Sequence, residues 1–111
     1  MNEWIKEFNV AITVCDRDAI ITEMNDKSVA TFASYGGKEL IGKSLYDVHP
    51  EHCNVMIRHL LETGKANAYT IEKKGVRKLI YQEAWFLDGE VAGLVEMSLE
   101  LPPEMPHHVR S

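Results

Sequence analysis

The chain has 111 residues, which most simply make one domain with a single core. Its hydrophobic content of 45% and charged content of 26% are ordinary globular values that argue against wholesale disorder. The net charge is −5 and the twelve Lys and Arg residues are scattered, so the sequence lacks the clustered basic charge of a nucleic-acid-binding surface.

The sequence carries no targeting or membrane signal. The N-terminal string MNEWIKEF has no basic stretch followed by an apolar run, and no segment approaches the roughly 18 apolar residues of a membrane helix. Cys15 and Cys53 form no CxxC pattern, which favours reduced thiols over a disulfide framework or a zinc site. We therefore expect a cytoplasmic protein.

The first third of the sequence predicts a short helix, a hairpin and a capped helix. Residues 2–8 predict the short helix. Its apolar side chains are Trp4, Ile5 and Phe8, which either cap the domain's own sheet or contact a second subunit. Alternating apolar residues over 10–15 and 19–24 predict two strands joined by a turn. Asn25 then takes the N-cap position of a helix that stops at Gly36-Gly37.

The longest predicted helix begins after His49-Pro50 and ends at Gly64. Proline suits the first helical position because its missing N–H would have had no partner there, and glycine supplies the stop. The apolar residues of this segment recur at helical spacing and should face the core: Cys53, Met56, Ile57, Leu60 and Leu61.

The C-terminal part predicts two hairpins that share their middle strand. Lys74-Gly75 and Asp88-Gly89 are both suited to tight two-residue turns. With Asp88-Gly89 as the loop, continued pairing places Ile80 opposite Met97 on a core face. The same register gives a second face with a contiguous apolar patch of Leu79, Tyr81, Trp85 and Leu94.

These elements predict an α+β fold. Five antiparallel strands form one sheet, helices pack on one face of it, and a short helix precedes the first strand. Residues 1–9 are expected to form a cap helix, residues 10–101 the domain, and residues 102–111 a proline-rich tail. A cavity is expected between the sheet and the helices.

The order of elements and several strings resemble a PAS sensory domain over residues 10–101. The strings are DRDAIITEMND, GGKELIGKSLYDVHP and DGEVAGLVEMSLEL, and the second is similar to small bacterial and archaeal sensory-box domains. The resemblance implies a PAS-like fold and a non-enzymatic sensory and protein-interaction role in signal transduction. Many PAS domains have glycine where this chain has Ala19, which indicates an altered first turn.

The resemblance also implies a route for the signal. The last strand of a signalling PAS domain usually leads into a coiled-coil helix, whereas Pro102 and Pro103 forbid an immediate helix here. We therefore expect output through a homodimer or a separate signalling protein. The predicted interface residues are Trp4, Ile5, Phe8, Leu79, Tyr81, Trp85 and Leu94.

Gln82 is the polar residue on the predicted core face. A buried amide needs hydrogen-bond partners. Backbone groups or a buried water supply them, or Gln82 orients a small apolar ligand in the cavity. In the last case the ligand-binding pocket is lined by Met56, Leu60, Tyr69, Gln82 and Met97.

Two alternatives follow from the resemblance and from the cavity. The first is a haem- or flavin-loaded sensor, but helical geometry of about 100° per residue turns His52 and His59 away from the apolar stripe. The second is a small cup-shaped enzyme on an apolar substrate. The predicted core face offers no ionisable residue, since Glu96 lies opposite Tyr81 on the other face, and no catalytic or metal motif occurs. We expect no cofactor, metal or catalytic residue.

Overall fold

The sheet brings the first and last strands of the chain together at its centre. The computed structural model describes residues 2–111. Its five strands pair in the order β2-β1-β5-β4-β3, and every neighbouring pair is antiparallel. The strands are β1 (Ala11–Asp16), β2 (Ile21–Met24), β3 (Ala66–Lys73), β4 (Val76–Leu87) and β5 (Glu90–Leu101).

The segment between β2 and β3 forms a helical layer over one face of this sheet. Two short 3₁₀ turns, Ala33–Tyr35 and Gly37–Leu40, follow the second helix. The helices are α1 (Glu3–Lys6), α2 (Asp26–Thr31), α3 (Leu45–Val48) and α4 (Glu51–Thr63). None of the helices in the described residues is long and apolar enough to span a membrane. The predicted α+β architecture, including the short N-terminal helix, is confirmed.

Local turn chemistry sets both C-terminal hairpins. Asp88 and Gly89 have φ values of 51° and 81°, and Lys74 and Gly75 have 54° and 79°. Positive φ at both central residues is what the tight turn matching strand twist requires. The predicted β3–β4 register is confirmed along the whole strand pair.

The predicted β4–β5 register is correct only beside the turn. Phe86 lies opposite Val91, but Trp85 lies opposite Gly93, so Ala92 is an extra residue in a β-bulge. Beyond the bulge every side chain of β5 changes face relative to the prediction, because side chains alternate with a period of two. The corrected pairs are Ala84 with Leu94, Gln82 with Glu96, and Tyr81 with Met97.

A contact between three strands accompanies the bulge. Trp85 Nε1 donates a hydrogen bond of 3.0 Å to the Cys15 carbonyl oxygen on β1, across the intervening β5. A Cβ atom at Gly93 would collide with that carbonyl oxygen and crowd the indole nitrogen. Glycine at this position therefore lets the indole reach β1.

Two clusters of buried side chains join the helical layer to the sheet. The first joins β1, α4 and β5 and consists of Cys15, Ala19, Ile57, Leu60 and Leu94. The second lies beside α2 and consists of Ile21, Met24 and Leu40. Leu94, predicted on the second face, therefore belongs to the core because of the bulge.

Asn25 connects three elements through one fully buried amide. Its Oδ1 accepts from the Ser28 N–H (3.0 Å), which caps α2, and from the Ile12 N–H (2.9 Å) on β1. Its Nδ2 donates to the carbonyl oxygens of Val10 (2.7 Å) and Ile5 (3.0 Å). The predicted helix cap thus also ties α1 and β1 to α2.

We predict that Asn25→Ala lowers the free energy of unfolding by about 2–4 kcal/mol, because it removes a cap and leaves buried backbone groups unpaired. Urea unfolding followed by circular dichroism measures the loss. Asn2→Ala is the matched control, since Asn2 is exposed and its side chain makes no cap hydrogen bond. The control should change stability by less than about 0.5 kcal/mol. Equal losses in the two variants would contradict the role of Asn25.

Candidate ligand cavity

Two adjoining cavities lie between the sheet and the helical layer. The inner chamber, beside β2 and α3, has a volume of about 290 Å³, and the outer chamber, beside β3, about 320 Å³; both are partly open to solvent. Both volumes are close to the lower limit of small-molecule sites. The two chambers share four lining residues: His49, Ile57, Gln82 and Glu96.

Apolar side chains from the segment after β1 make most of the inner chamber. They come from β2, the two 3₁₀ turns, α3 and Phe32 just after α2, with Ile57 and Leu94 from α4 and β5. Thr13 is a polar lining residue, and its hydroxyl is already hydrogen-bonded to the Ser28 hydroxyl at 2.5 Å. The main apolar lining residues are Ile21, Met24, Phe32, Leu40, Leu45 and Val48.

A row of polar side chains crosses the sheet where the chambers meet. Asn67, Gln82 and Glu96 lie opposite one another on β3, β4 and β5, and we call them the polar row. Gln82 Nε2 donates to Glu96 Oε2 at 2.8 Å, and Asn67 Nδ2 donates to Gln82 Oε1 at 3.0 Å. Because a carboxylate only accepts, both amide orientations are fixed. The buried Gln82 amide is therefore paired on both sides.

The polar row leaves a negative charge at the cavity. The second oxygen of Glu96 accepts no hydrogen bond from the described residues, and none of those residues that line either chamber is Lys or Arg. Tyr69, at the outer chamber, has its pKa raised by burial and, secondarily, by the Glu96 charge. Glu96 therefore contributes an uncompensated carboxylate to the cavity wall.

His49 completes the boundary between the chambers. Its Nδ1 lies 3.0 Å from the carbonyl oxygen of Leu45, the first residue of α3. Since a carbonyl oxygen only accepts, Nδ1 is the donor, and in the neutral ring Nε2 is then an acceptor. Within residues 2–111, no group of three or more His, Cys, Asp or Glu side chains could hold a metal ion.

The five predicted ligand residues divide between the cavity, the core and the other face. Met56, Tyr69 and Gln82 line the outer chamber. Leu60 is 1% exposed and packs in the core cluster with Cys15 and Leu94 instead. Met97 lies opposite Tyr81, on the far face of the sheet, because of the bulge.

The structure corrects two further expectations about the cavity. His52, predicted to point away, lines the outer chamber, because that chamber follows the flank of α4 toward β3 rather than the centre of its apolar stripe. The expectation that no ionisable residue faces the cavity was wrong, since Glu96 and His49 line both chambers. Gly93 in a strand interior is the sequence signal that could have revealed the bulge and so Glu96.

The face of the sheet opposite the helical layer, here called the outer face, is also redefined by the bulge. Leu79, Tyr81 and Trp85 lie on it as predicted, and residues of β5 replace Leu94 there: Val95, Met97 and Leu99. Within the chain, Trp4 and Phe8 remain 64% and 49% exposed and contact each other edge to face at 5.8 Å. They are therefore not buried against their own sheet.

A third, wider groove of about 590 Å³ lies beside α4, next to the β4–β5 turn. Its Arg58 is already engaged, because it bonds Glu51 and its guanidinium lies 5.3 Å from the ring centre of Tyr46. The groove is more open than the two chambers and its charges are mixed. The two chambers are therefore the better candidate for a binding site.

The two thiols differ in exposure, which gives a test of the cavity's accessibility. Cys53 lines the outer chamber and is half-buried, whereas Cys15 is 1% exposed and burial raises its pKa to about 11. Because the thiolate is the reactive form, we predict that Ellman's reagent at pH 8 labels one thiol quickly and the second only on unfolding. Cys53→Ser should remove the fast phase and Cys15→Ser should retain it; equal rates for both thiols would contradict the assignment.

Comparison with known proteins places these features in one family. The PAS fold family model matches residues 5–101. No curated protein sequence matches the chain at a significant level.

Solved structures share the fold at low sequence identity. The Aer2 receptor of Vibrio cholerae, a dual PAS-haem oxygen sensor, is 16% identical with a TM-score of 0.62, covering 84% of this chain and 95% of that one. VqmA bound to DPO is 12% identical with a TM-score of 0.71, covering 90% and 55%. A sensory box sensor histidine kinase from Vibrio cholerae is 15% identical with a TM-score of 0.63, covering 90% and 88%. The resemblance seen in the sequence is confirmed, and the chain belongs to the PAS fold family.

Proposed function

We propose that the chain is a non-enzymatic sensory domain that binds a small ligand in its two chambers and reports it through protein contacts. The observation that carries this proposal is the cavity itself. Its inner part is mainly apolar, and convergent hydrogen-bonding groups stand at its boundary, which is the usual composition of a small-molecule site. VqmA with DPO and the haem sensor Aer2 support it as proteins of similar fold whose structures are described with small molecules.

The arrangement of the ionisable groups supports a binding role over a catalytic one. Glu96 is bonded to the amide of Gln82, and His49 to a backbone carbonyl. In the described part of the chain no hydrogen bond joins either group to the other or to a hydroxyl or thiol nucleophile. A side-chain nucleophile is commonly activated by such a pair.

The cavity wall does not fit the two cofactors considered for this fold. Haem carries two carboxylates and flavin mononucleotide carries a phosphate, and such anionic groups are normally met by Arg, Lys or backbone donors. Here the described lining offers no Lys or Arg and instead presents Glu96. We therefore propose a ligand other than haem or flavin.

Filling the inner chamber should abolish ligand binding. We predict that Val48→Phe lowers the amount of small molecule that copurifies with the protein at least tenfold, since Val48 lines this chamber. Val55→Phe is the matched control, because Val55 is 58% exposed on α4 and lines neither chamber. Native mass spectrometry of freshly purified protein measures the bound mass. Equal occupancy in the two variants, or no bound mass in the unaltered protein, would contradict the proposal.

We further propose that the domain is a cytoplasmic homodimer and that a separate signalling protein receives its output. Cys15 and Cys53 are both free, as expected in a reducing compartment. The outer face carries a contiguous set of partly buried apolar side chains, and such patches mark interaction surfaces. In this proposal Trp4, Ile5 and Phe8 of a second subunit cover the patch.

Met97→Glu tests the dimer. A charge at the middle of the outer face should turn a dimer into a monomer, because an unpaired buried charge is costly at an interface. Trp85 is unsuitable for this test because its indole also holds the Cys15 carbonyl. Val55→Glu places the same charge on the exposed side of α4 and should leave the dimer intact. Multi-angle light scattering gives the mass; a monomeric unaltered protein would disprove the dimer.

A further inference from the structure

We infer that the ligand is a small molecule with an apolar body and one protonated amine, and that the Glu96 carboxylate binds that amine at the boundary of the two chambers. This inference rests on the proposed function and names the chemical class of its ligand. Three features of the cavity support it: the charge of its wall, the fixed polar row, and the mainly apolar lining of the inner chamber beside that row.

The cavity wall carries a negative charge. Glu96 is partly buried and lines both chambers, and its protein partner is the neutral amide of Gln82. Among the described lining residues there is no Lys or Arg to neutralise it. Removing a carboxylate from water is unfavourable unless a partner compensates, so a ligand cation beside Glu96 gains a strong interaction while an anion is repelled.

The hydrogen bonds of the polar row favour a cationic ligand over an anionic one. Gln82 must present its NH₂ group to Glu96, and its oxygen is then occupied by Asn67. The amides therefore cannot turn to surround an anion with donors, and one Glu96 oxygen remains available as an acceptor. His49 adds a second acceptor when its ring is neutral, since its Nδ1 is occupied by the Leu45 carbonyl. A nitrogen with several N–H donors matches this boundary.

The lining of the inner chamber indicates where the apolar body of the ligand binds. The inner chamber, about 290 Å³, is lined mainly by apolar residues and lies on one side of Glu96. An aromatic or branched body therefore fits among Phe32, Leu40 and Leu45, with the nitrogen at the end that meets the polar row. Because Glu96 is the one carboxylate among the described lining residues, a monoamine fits better than a polyamine.

Matched triplets of fragments test the ligand class on the unaltered protein. Each triplet keeps one apolar body and changes the end group, for example 2-phenylethylamine, 2-phenylethanol and 3-phenylpropanoate. Binding is followed at pH 8, above the ordinary range of histidine titration, through the side-chain amide signals of Asn67 and Gln82 in two-dimensional NMR spectra. The amines should bind at least about tenfold more tightly than the alcohols, as expected for a hydrogen bond to a charged group, and the carboxylates should not bind.

Glu96→Gln tests the residue. The variant keeps the size of the side chain and an acceptor for Gln82 but removes the charge, so it should weaken amine binding at least about tenfold and leave alcohol binding unchanged. Glu100→Gln removes the same charge from an exposed position on β5 and should change neither. The NMR spectrum of each free variant verifies that it is folded.

The outcomes separate the two levels of the proposal. Alcohols or carboxylates that bind as tightly as amines, or an unchanged amine affinity in Glu96→Gln, would overturn the ligand class while leaving the cavity as a binding site. If no member of any triplet binds, small-ligand binding in the chambers fails, and the ligand class fails with it.

Discussion

The bulge at Ala92 is the constraint on which the rest of the structure depends. The Trp85 indole donates to the Cys15 carbonyl across β5, and Gly93 leaves the space for it. One extra residue reverses the faces of β5 from Gly93 onward, so that Leu94 joins the core and Glu96 faces the cavity. Both candidate surfaces follow from this bulge, the cavity wall on one side of the sheet and the apolar outer face on the other.

A cavity remains between the helical layer and the sheet because the two layers pack together in two separate clusters of buried side chains. Ile57 and Leu94 belong to the cluster around α4, whereas Ile21 and Leu40 belong to the one beside α2, and all four line the inner chamber between them. Asn25 holds the helical layer in place beside α2, because its buried amide joins α2 to α1 and β1. A domain of this size can therefore keep a cavity between its two clusters.

The polar row gives this cavity a chemical character. In most buried networks, neighbouring groups satisfy one another completely, because an unpaired polar group in a low-dielectric interior is costly. Here Gln82 is paired on both sides within the row, while Glu96 keeps one oxygen without a partner among the described residues. The Glu96 carboxylate repels the anionic groups of haem and flavin and attracts a cationic ligand. One residue therefore discriminates between the candidate ligands.

The sequence by itself determined the elements whose causes are local. Asp88-Gly89 and Lys74-Gly75 set the two hairpins through their positive φ values, Asn25 began α2, and Gly64 ended α4. The β3–β4 register followed from its turn because no bulge interrupts that pair. The tertiary structure decided the β4–β5 register, the orientation of Glu96 and the position of His52 beside the outer chamber. The physical reason is the distance along the chain: Gly93 is a local signal for a bulge, but the hydrogen bond associated with that bulge joins residues 70 positions apart, and a local pattern does not identify such a partner.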